Sequence, residues 1–335
     1  MRWLSILVLL VGCVPELGEV DDIPAISVRN TTPPTQVFEK GRQALDDAKV
    51  TTLRWGLTPY MAPEELKKNY RPIADFVGDR LGLSVELVMG ENYADLEQRI
   101  VEGSVDVAVV SPYSYVRAKK REPGILPFAS HIARGSASYG AYIIVNEESD
   151  IETLAELKGQ SFAFVDRRST SGWLFPAVRM LDEGIHPERD LDERFVKTHN
   201  AVYDAVVEGR VEGGATYDGA LRQGRDRRRD GRGVRVIAKA PRIPHEAYVL
   251  REGLPIEVAD ALGAALFEIS TGTRKGRELL APMLRINGFV QVEDSHYDVV
   301  REVEEKANKV GLAVETEPLS EALESPDTPS DKANP

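Results

Sequence analysis

From Thr51 to about residue 312, apolar runs of strand length alternate with longer segments whose apolar residues recur every three or four positions. A chain patterned in this way is confined to α/β architectures with mainly parallel sheet. Leu53–Leu57 reads as the first strand, and 63–81 as a helix with Leu66, Tyr70, Ile73, Ala74 and Val77 on one face. Pro63 suits a first-turn position, whereas Pro72 predicts a bend or a second start. Leu83–Val88, Tyr93–Glu102 and Val105–Val110 continue the alternation as strand, helix and strand, the last ending in a turn at Ser111-Pro112. Two extended runs, 125–133 and 139–146, flank a polar connection. Beyond them the alternation resumes: a helix over 151–157, a strand over 162–165, a helix from about Gly172 to Asp182, a strand over 194–197, a helix over 200–208 and strands over 213–216 and 234–239. After the strand 247–250 the rest is mostly helical, at 255–270, 274–281 and 295–310. The length exceeds one typical core, which predicts two lobes. Residues 51–136 and 246–312 are expected to form the first lobe and 137–245 the second, with a ligand cleft between them.

The termini indicate where such a protein works. Met1-Arg2-Trp3, an apolar run from Leu4 to Val11 and then Gly12-Cys13 read as a secretory leader, residues 1–12. The run is roughly nine residues, well short of the about 20 needed to span a bilayer. Leu10-Val11-Gly12-Cys13 resembles the bacterial lipobox, in which the cysteine is lipidated. Cys13 is the only cysteine in the chain, so no internal disulfide can form and Cys13 is expected to be the lipidation site. Residues 13–50, with Pro15, Pro24, Pro33 and Pro34, read as a flexible lipid-anchored linker, and 313–335 as a disordered tail. An extracytoplasmic, membrane-anchored protein follows.

The formal net charge of -12 argues against nucleic acid as a partner. Arg222 to Arg232 holds six arginines, but interleaved Asp226, Asp230 and glycines mark a solvated helix end and loop. The histidines are far apart in sequence, and neither a His-Glu-x-x-His motif nor a Gly-x-Ser-x-Gly elbow is present. No metal and no cofactor is expected.

The most informative local stretch is Asp166-Arg167-Arg168-Ser169-Thr170-Ser171-Gly172-Trp173, where three hydroxyl residues and a glycine join a strand to a helix. A helix N-terminus offers backbone N–H groups without intrahelical partners and a partial positive charge, so it can hold an oxyanion. The same residues can also be an ordinary N-cap. Adjacent side chains diverge, so at most one of Arg167 and Arg168 is expected to face the cleft.

These residues bring a family into view. Leu53 to Pro59, Tyr70-Arg71-Pro72-Ile73-Ala74-Asp75-Phe76, Asn92-Tyr93-Ala94-Asp95-Leu96, Gly103-Ser104-Val105-Asp106-Val107-Ala108, Ser169-Thr170-Ser171-Gly172-Trp173-Leu174-Phe175-Pro176 and Ile243-Pro244-His245-Glu246 resemble the phosphonate-binding (PhnD-like) substrate-binding proteins of ABC transporters. The Ser-Thr-Ser-Gly segment with its downstream proline is the most specific of these landmarks. The resemblance implies the two-lobed type II periplasmic binding protein fold. It also implies that the groups at Ser169, Thr170 and Ser171 hold phosphonate oxygens and that His199 adds a donor. Glu246 would then receive a ligand amino group or acidic proton, since an ionised carboxylate only accepts hydrogen bonds. Asp218 can share that role or serve as a cap, although the family's second acidic position aligns more nearly with Gly219. Where the family commonly has an aromatic residue, Val109 and Val110 are followed by Ser111-Pro112-Tyr113, so Tyr113 either supplies a hydroxyl or packs. Tyr60 is either an oxyanion donor or a structural loop aromatic.

What the resemblance implies is a monomeric, non-enzymatic receptor that hands a small oxyanion of the phosphonate, phosphite or phosphate class to an ABC permease. Two alternatives stay open on the sequence: a binding protein that presents its ligand to a membrane signalling partner, and a secreted hydrolase using Ser169, Ser171 or Ser111 with His199.

Overall fold

The computed structural model describes residues 34–228, 231–283 and 285–312. The expected leader (1–12), the lipid site Cys13 and the expected tail (313–335) lie outside the described residues. In chain order the elements are α1 (Pro34–Asp47), β1 (Thr52–Leu57), α2 (Pro63–Leu81), β2 (Ser84–Met89), α3 (Tyr93–Val101), β3 (Val107–Val110), α4 (Pro112–Arg121) and β4 (Leu126–Ala133). Next come β5 (Ser138–Tyr139), β6 (Ala141–Asn146), β7 (Ser161–Phe164), α5 (Phe175–Asp182), α6 (Pro187–Asp190), β8 (Asp192–Phe195), α7 (His199–Val207), β9 (Gly213–Tyr217), α8 (Asp218–Arg227) and β10 (Val234–Lys239). The chain then returns through β11 (Ile243–Pro244) and β12 (Ala247–Leu250) to α9 (Ile256–Phe267), α10 (Arg274–Leu280), β13 (Ile286–Val290) and α11 (Asp298–Lys309).

Two mixed sheets result. The first has six strands in the order β13-β4-β12-β3-β1-β2, with β1 parallel to both neighbours and β12 antiparallel between β3 and β4. The second has the order β10-β6-β9-β7-β8, with β7 parallel to β8 and β9. The chain passes between the sheets twice, and the passages pair with each other: β5 and β11 form a two-residue antiparallel ribbon, Ile243 opposite Tyr139 and Pro244 opposite Ser138. Residues at the end of each passage are therefore delivered to the junction of the lobes.

Asp106 explains the Gly-Ser-Val-Asp-Val-Ala landmark. Its carboxylate is almost fully buried ahead of β3 and accepts hydrogen bonds from the Arg54 backbone N–H (2.9 Å), Arg54 Nε (3.1 Å), Arg54 Nη2 (3.0 Å) and Arg251 Nε (3.0 Å). One carboxylate thereby ties β1 to the end of β12. Helix α2 runs unbroken through Pro72 from an exposed first turn, burying Leu66, Tyr70, Ile73, Ala74 and Val77 as its periodicity predicts.

The structure departs from the sequence reading at several elements. Residues 34–47, expected within the flexible linker, form α1, whose Val37, Phe38, Ala44 and Leu45 are buried. Its backbone comes so close to α9 that a Cβ on Gly41 would lie 2.3 Å from that of Ala261. Ser111-Pro112, read as a turn, is instead a helix start: Ser111 Oγ accepts from the Ser114 N–H, and Pro112 opens α4, where its missing N–H costs nothing. The expected helix over 151–157 shrinks to one turn, Leu154–Leu157. Helix α8 and strand β13 had no clear periodic signal; α8 carries two internal glycines. Helix α11, expected with the first lobe, packs on α4 and α5 through Val300 and Ala307, and its Lys306 pairs with Asp182.

Candidate functional site

Strand β7 leads into the hydroxyl-rich turn. Asp166 Oδ1 accepts from the Arg168 N–H at 2.7 Å, and the Asp166 carbonyl accepts from the Ser169 N–H at 2.9 Å, which reverses the chain. Ser169 Oγ then accepts from the Gly172 N–H at 3.0 Å, so the cap reading holds for this side chain. The following turn, Thr170–Leu174, is of the wide π type, with the Leu174 N–H reaching the Ser169 carbonyl and the Phe175 N–H that of Thr170. Such turns recur at functional sites because they displace backbone groups from the regular ladder. Gly172 is needed there: a Cβ would sit 2.4 Å from Val165 Cγ2. As first residues of the turn, Thr170 and Ser171 have no intrahelical acceptor for their N–H groups.

The two side chains beyond the cap have different duties. Thr170 Oγ1 accepts from the Tyr113 backbone N–H at 2.9 Å, which leaves its own proton to donate. Ser171 Oγ lies 3.5 Å from His199 Nε2, and His199 Nδ1 is 3.0 Å from Thr216 Oγ1. When Thr216 donates to Nδ1, Nε2 carries the imidazole proton. Burial holds the His199 pKa down at about 3, so the ring is a neutral single donor. The third member of this row is a hydroxyl, not a carboxylate, unlike the Ser-His-Asp arrangement of hydrolases.

Ser169, Thr170, Ser171 and His199 form one wall of a small cavity, with about 460 Å³ of empty space counting what opens to solvent. Thr58, Tyr60, Tyr70, Tyr93 and Ser111 face them from the other lobe, Tyr217 ends β9 beside His199, and Tyr139 and Glu246 come from the two passages between lobes. Among the described residues no lysine or arginine lines this cavity. Burial pushes the Tyr60, Tyr70, Tyr93, Tyr139 and Tyr217 phenols well above their ordinary range, so all five remain neutral hydroxyls. The result is a wall of neutral hydrogen-bond donors around one carboxylate. Glu246 Oε2 lies 3.4 Å from His131 Nε2 and 3.9 Å from His245 Nδ1, and burial first of all lowers the pKa of both imidazoles.

Six of the residues singled out from the sequence, Ser169, Thr170, Ser171, His199, Glu246 and Tyr60, therefore meet around one cavity. Tyr113 does not: the start of α4 turns its ring into the core, where it is fully buried under Arg117, and Ser111 occupies the cavity edge instead. Asp218 is also absent from this wall; it opens α8 and pairs with Arg222 one turn on, at 2.7 Å. Neither Arg167 nor Arg168 faces the cavity. Arg167 lies over the Trp173 ring and pairs with Glu188 and Glu193, while Arg168 pairs with the buried Glu97 at 3.2 Å. The sequence reading missed Thr58, Tyr70, Tyr93, Tyr139 and Tyr217 as cavity residues. Thr58, Tyr93, Tyr139 and Tyr217 share a signal, a hydroxyl residue at a strand or helix terminus, that is visible only once strand order is known, whereas Tyr70 sits mid-helix on the buried face of α2.

Comparison with known proteins identifies the family and the architecture. A family model for the periplasmic substrate-binding protein of phosphonate ABC transporters matches residues 55–297. The phosphate-import protein PhnD of Mycolicibacterium smegmatis is 25% identical over 279 residues, covering 75% of this chain and 84% of that protein. Among solved structures, a binding protein component of an ABC phosphonate transporter from Pseudomonas aeruginosa superposes with a TM-score of 0.70 at 22% identity, covering 79% of this chain and 89% of that one. PhnD1 from Prochlorococcus marinus, in complex with methylphosphonate, also gives 0.70, at 18% identity over 77% of this chain and 99% of that one. The architecture is thus that of a type II periplasmic binding protein, and the chain belongs to the family of periplasmic substrate-binding proteins of phosphonate ABC transporters.

Proposed function

We propose that the cavity binds a single tetrahedral oxyanion of the phosphonate, phosphite or phosphate class and that the protein delivers it to an ABC permease as a monomer. The observation that carries this reading is a donor wall, Ser169 to Ser171 with His199, in a cavity where Glu246 is the one carboxylate and no lysine or arginine appears among the described lining residues. Neutral donors can take the place of water around an oxyanion without adding charge. Glu246 beside an oxyanion is tolerable only when the ligand brings a proton or an ammonium group for it to accept. This selects protonated phosphonate or phosphate over sulfate, which has no proton to give at neutral pH. Tyr60 serves as a donor here, joined by Tyr93, Tyr139 and Tyr217. The phosphate and methylphosphonate ligands named for the two relatives fit that chemistry.

Calorimetric titration of the full chain with methylphosphonate, phosphite, phosphate and sulfate tests the proposal, with Ser171→Ala as control. The Ser171 side chain does not cap the turn, so its loss should weaken oxyanion binding about tenfold with little change in the ligand-free melting point. A lowered melting point with unaltered affinity would instead make Ser171 a folding residue. The lipid anchor on Cys13 belongs to the same proposal. Cys13→Ser should move the protein from the membrane to the soluble fraction of the cells that make it, and unchanged fractionation would remove the anchor.

A further inference from the structure

We infer that the ligand carries a second anionic group besides its oxyanion head, and that an outer chamber lined by Arg134, Arg242 and Arg285 receives it. The inference rests on the oxyanion reading of the inner cavity. Tyr60, Tyr139, Tyr217 and Glu246 line both spaces, so the two adjoin. The outer chamber has about 1740 Å³ of empty space, counting what opens to solvent, far more than a head group needs. Three separate segments supply the arginines. Arg134 follows β4 on the first passage, Arg242 lies on the second, and Arg285 precedes β13 and reaches across to the other lobe, where its Nη1 donates to the Gly219 carbonyl at 2.6 Å.

What distinguishes these three is how they are neutralised. Arg222 and Arg227 also line the chamber, but each has a carboxylate partner, Asp218 at 2.7 Å and Asp204 at 3.1 Å. Among the described residues no carboxylate pairs with Arg134, Arg242 or Arg285. Arg242 spends Nε and Nη2 on Ser138 Oγ (3.0 Å), Ser136 Oγ (2.8 Å) and the Ser138 carbonyl (2.5 Å), all uncharged. Of the chamber's own acids, Asp218 is held by Arg222, Glu246 stands against two imidazoles, and Glu65 and Asp226 are exposed. Burial first, then the nearby Arg222 and Arg134 charges, hold the Arg285 guanidinium below its ordinary range against the opposing pull of Tyr217 and Asp218. Arg242 and Arg285 are partly buried and Arg134 is exposed; partly buried guanidiniums are most favourable when they meet a planar or tetrahedral anion they can grip with two N–H groups. A ligand whose substituent ends in a carboxylate, sulfonate or second phosphoryl group supplies that anion while its head occupies the inner cavity.

The test is a matched series titrated into the full chain: ethyl-, propyl- and butylphosphonate against phosphonoacetate, phosphonopropionate and phosphonobutyrate. For at least one tether length the carboxylated ligand should bind about tenfold tighter or more, as expected for a charge-assisted contact. That ratio should fall toward one in an Arg242→Gln, Arg285→Gln double variant. If the alkylphosphonates bind and no tether length shows the advantage, the second-anion inference is wrong and the oxyanion reading stands. A ratio that survives in the double variant would also overturn it, because the arginines would then not be what holds the second anion. Binding of none of the phosphonates would remove both the inference and the reading beneath it.

Discussion

His199 and Glu246 divide the work of recognition between them. The imidazole is neutral because burial drives its pKa to about 3, and when Thr216 donates to Nδ1 the Nε2–H is available to an oxyanion. His199→Ala should therefore weaken phosphonate-class binding by about ten- to a hundredfold, the range for a hydrogen bond to a charged group. Calorimetry between pH 5.5 and 8 should show the same loss throughout, because the ring does not titrate there; a loss that vanishes at the alkaline end would mean that His199 acts as a cation. Glu246 sets selectivity by accepting only. Glu246→Gln replaces half of that acceptor by a donor of nearly the same shape, so sulfate binding should appear or strengthen about tenfold relative to methylphosphonate. An unchanged ratio of the two ligands would place the proton-reading group elsewhere.

At the scale of elements, the turn after β7 and the tie beneath β3 do different jobs. Gly172→Ala forces a methyl group to 2.4 Å from Val165 Cγ2 and 2.9 Å from Ser169 Oγ, so the turn must move. Equilibrium denaturation should record a loss of about 1–3 kcal/mol with a matching loss of affinity; full stability and full affinity together would show that the close approach is not real. Asp106 belongs to the frame. Desolvation alone would raise its pKa, but hydrogen bonds from Arg54 and Arg251 hold it below the ordinary 3.8. A carboxylate with a depressed folded-state pKa adds stability that is present above the unfolded value and lost as pH falls through the folded one. The melting advantage of the native chain over Asp106→Asn should thus be constant from pH 5 to 7 and shrink below about pH 3.8. The legibility of these parts follows from how local they are. The Ser169-Thr170-Ser171-Gly172 turn was readable because its strand, hydroxyls and glycine adjoin in sequence. Ser111-Pro112 reads as a turn because strand end and helix start use the same residues, and of the two readings open for Tyr113 the structure has the packed one. Tyr139 and Tyr217 reach the site through the β5–β11 ribbon and the order of β9 in its sheet, pairings that no short stretch of sequence encodes.

Across the whole molecule the lobes already touch around the cavity. Ser111 Oγ donates to the Arg168 carbonyl at 2.9 Å, the Tyr113 N–H reaches Thr170 Oγ1, and Arg168 Nε reaches Glu97. These contacts give a closed form something to gain, and a ligand shared by both walls shifts the population toward it. Protonation acts on the same frame. Burial lowers the pKa of His131, His199, His245 and His296, so the unfolded chain binds more protons than the folded one below the ordinary value of 6.5. Ligand-free stability should accordingly fall steadily as pH drops from about 6.5 to 5, where carboxylates alone would contribute little. A flat melting curve across that interval would mean the imidazoles are not buried as described. The central claim, that the cavity is an oxyanion receptor, meets its most direct test in the melting of the full chain with and without methylphosphonate, phosphite, phosphate and sulfate. At a hundred times its dissociation constant, a phosphonate-class ligand should stabilise the native chain by about 2.7 kcal/mol, with sulfate doing far less and the effect reduced in His199→Ala. Failure of every oxyanion to raise the melting point would contradict it.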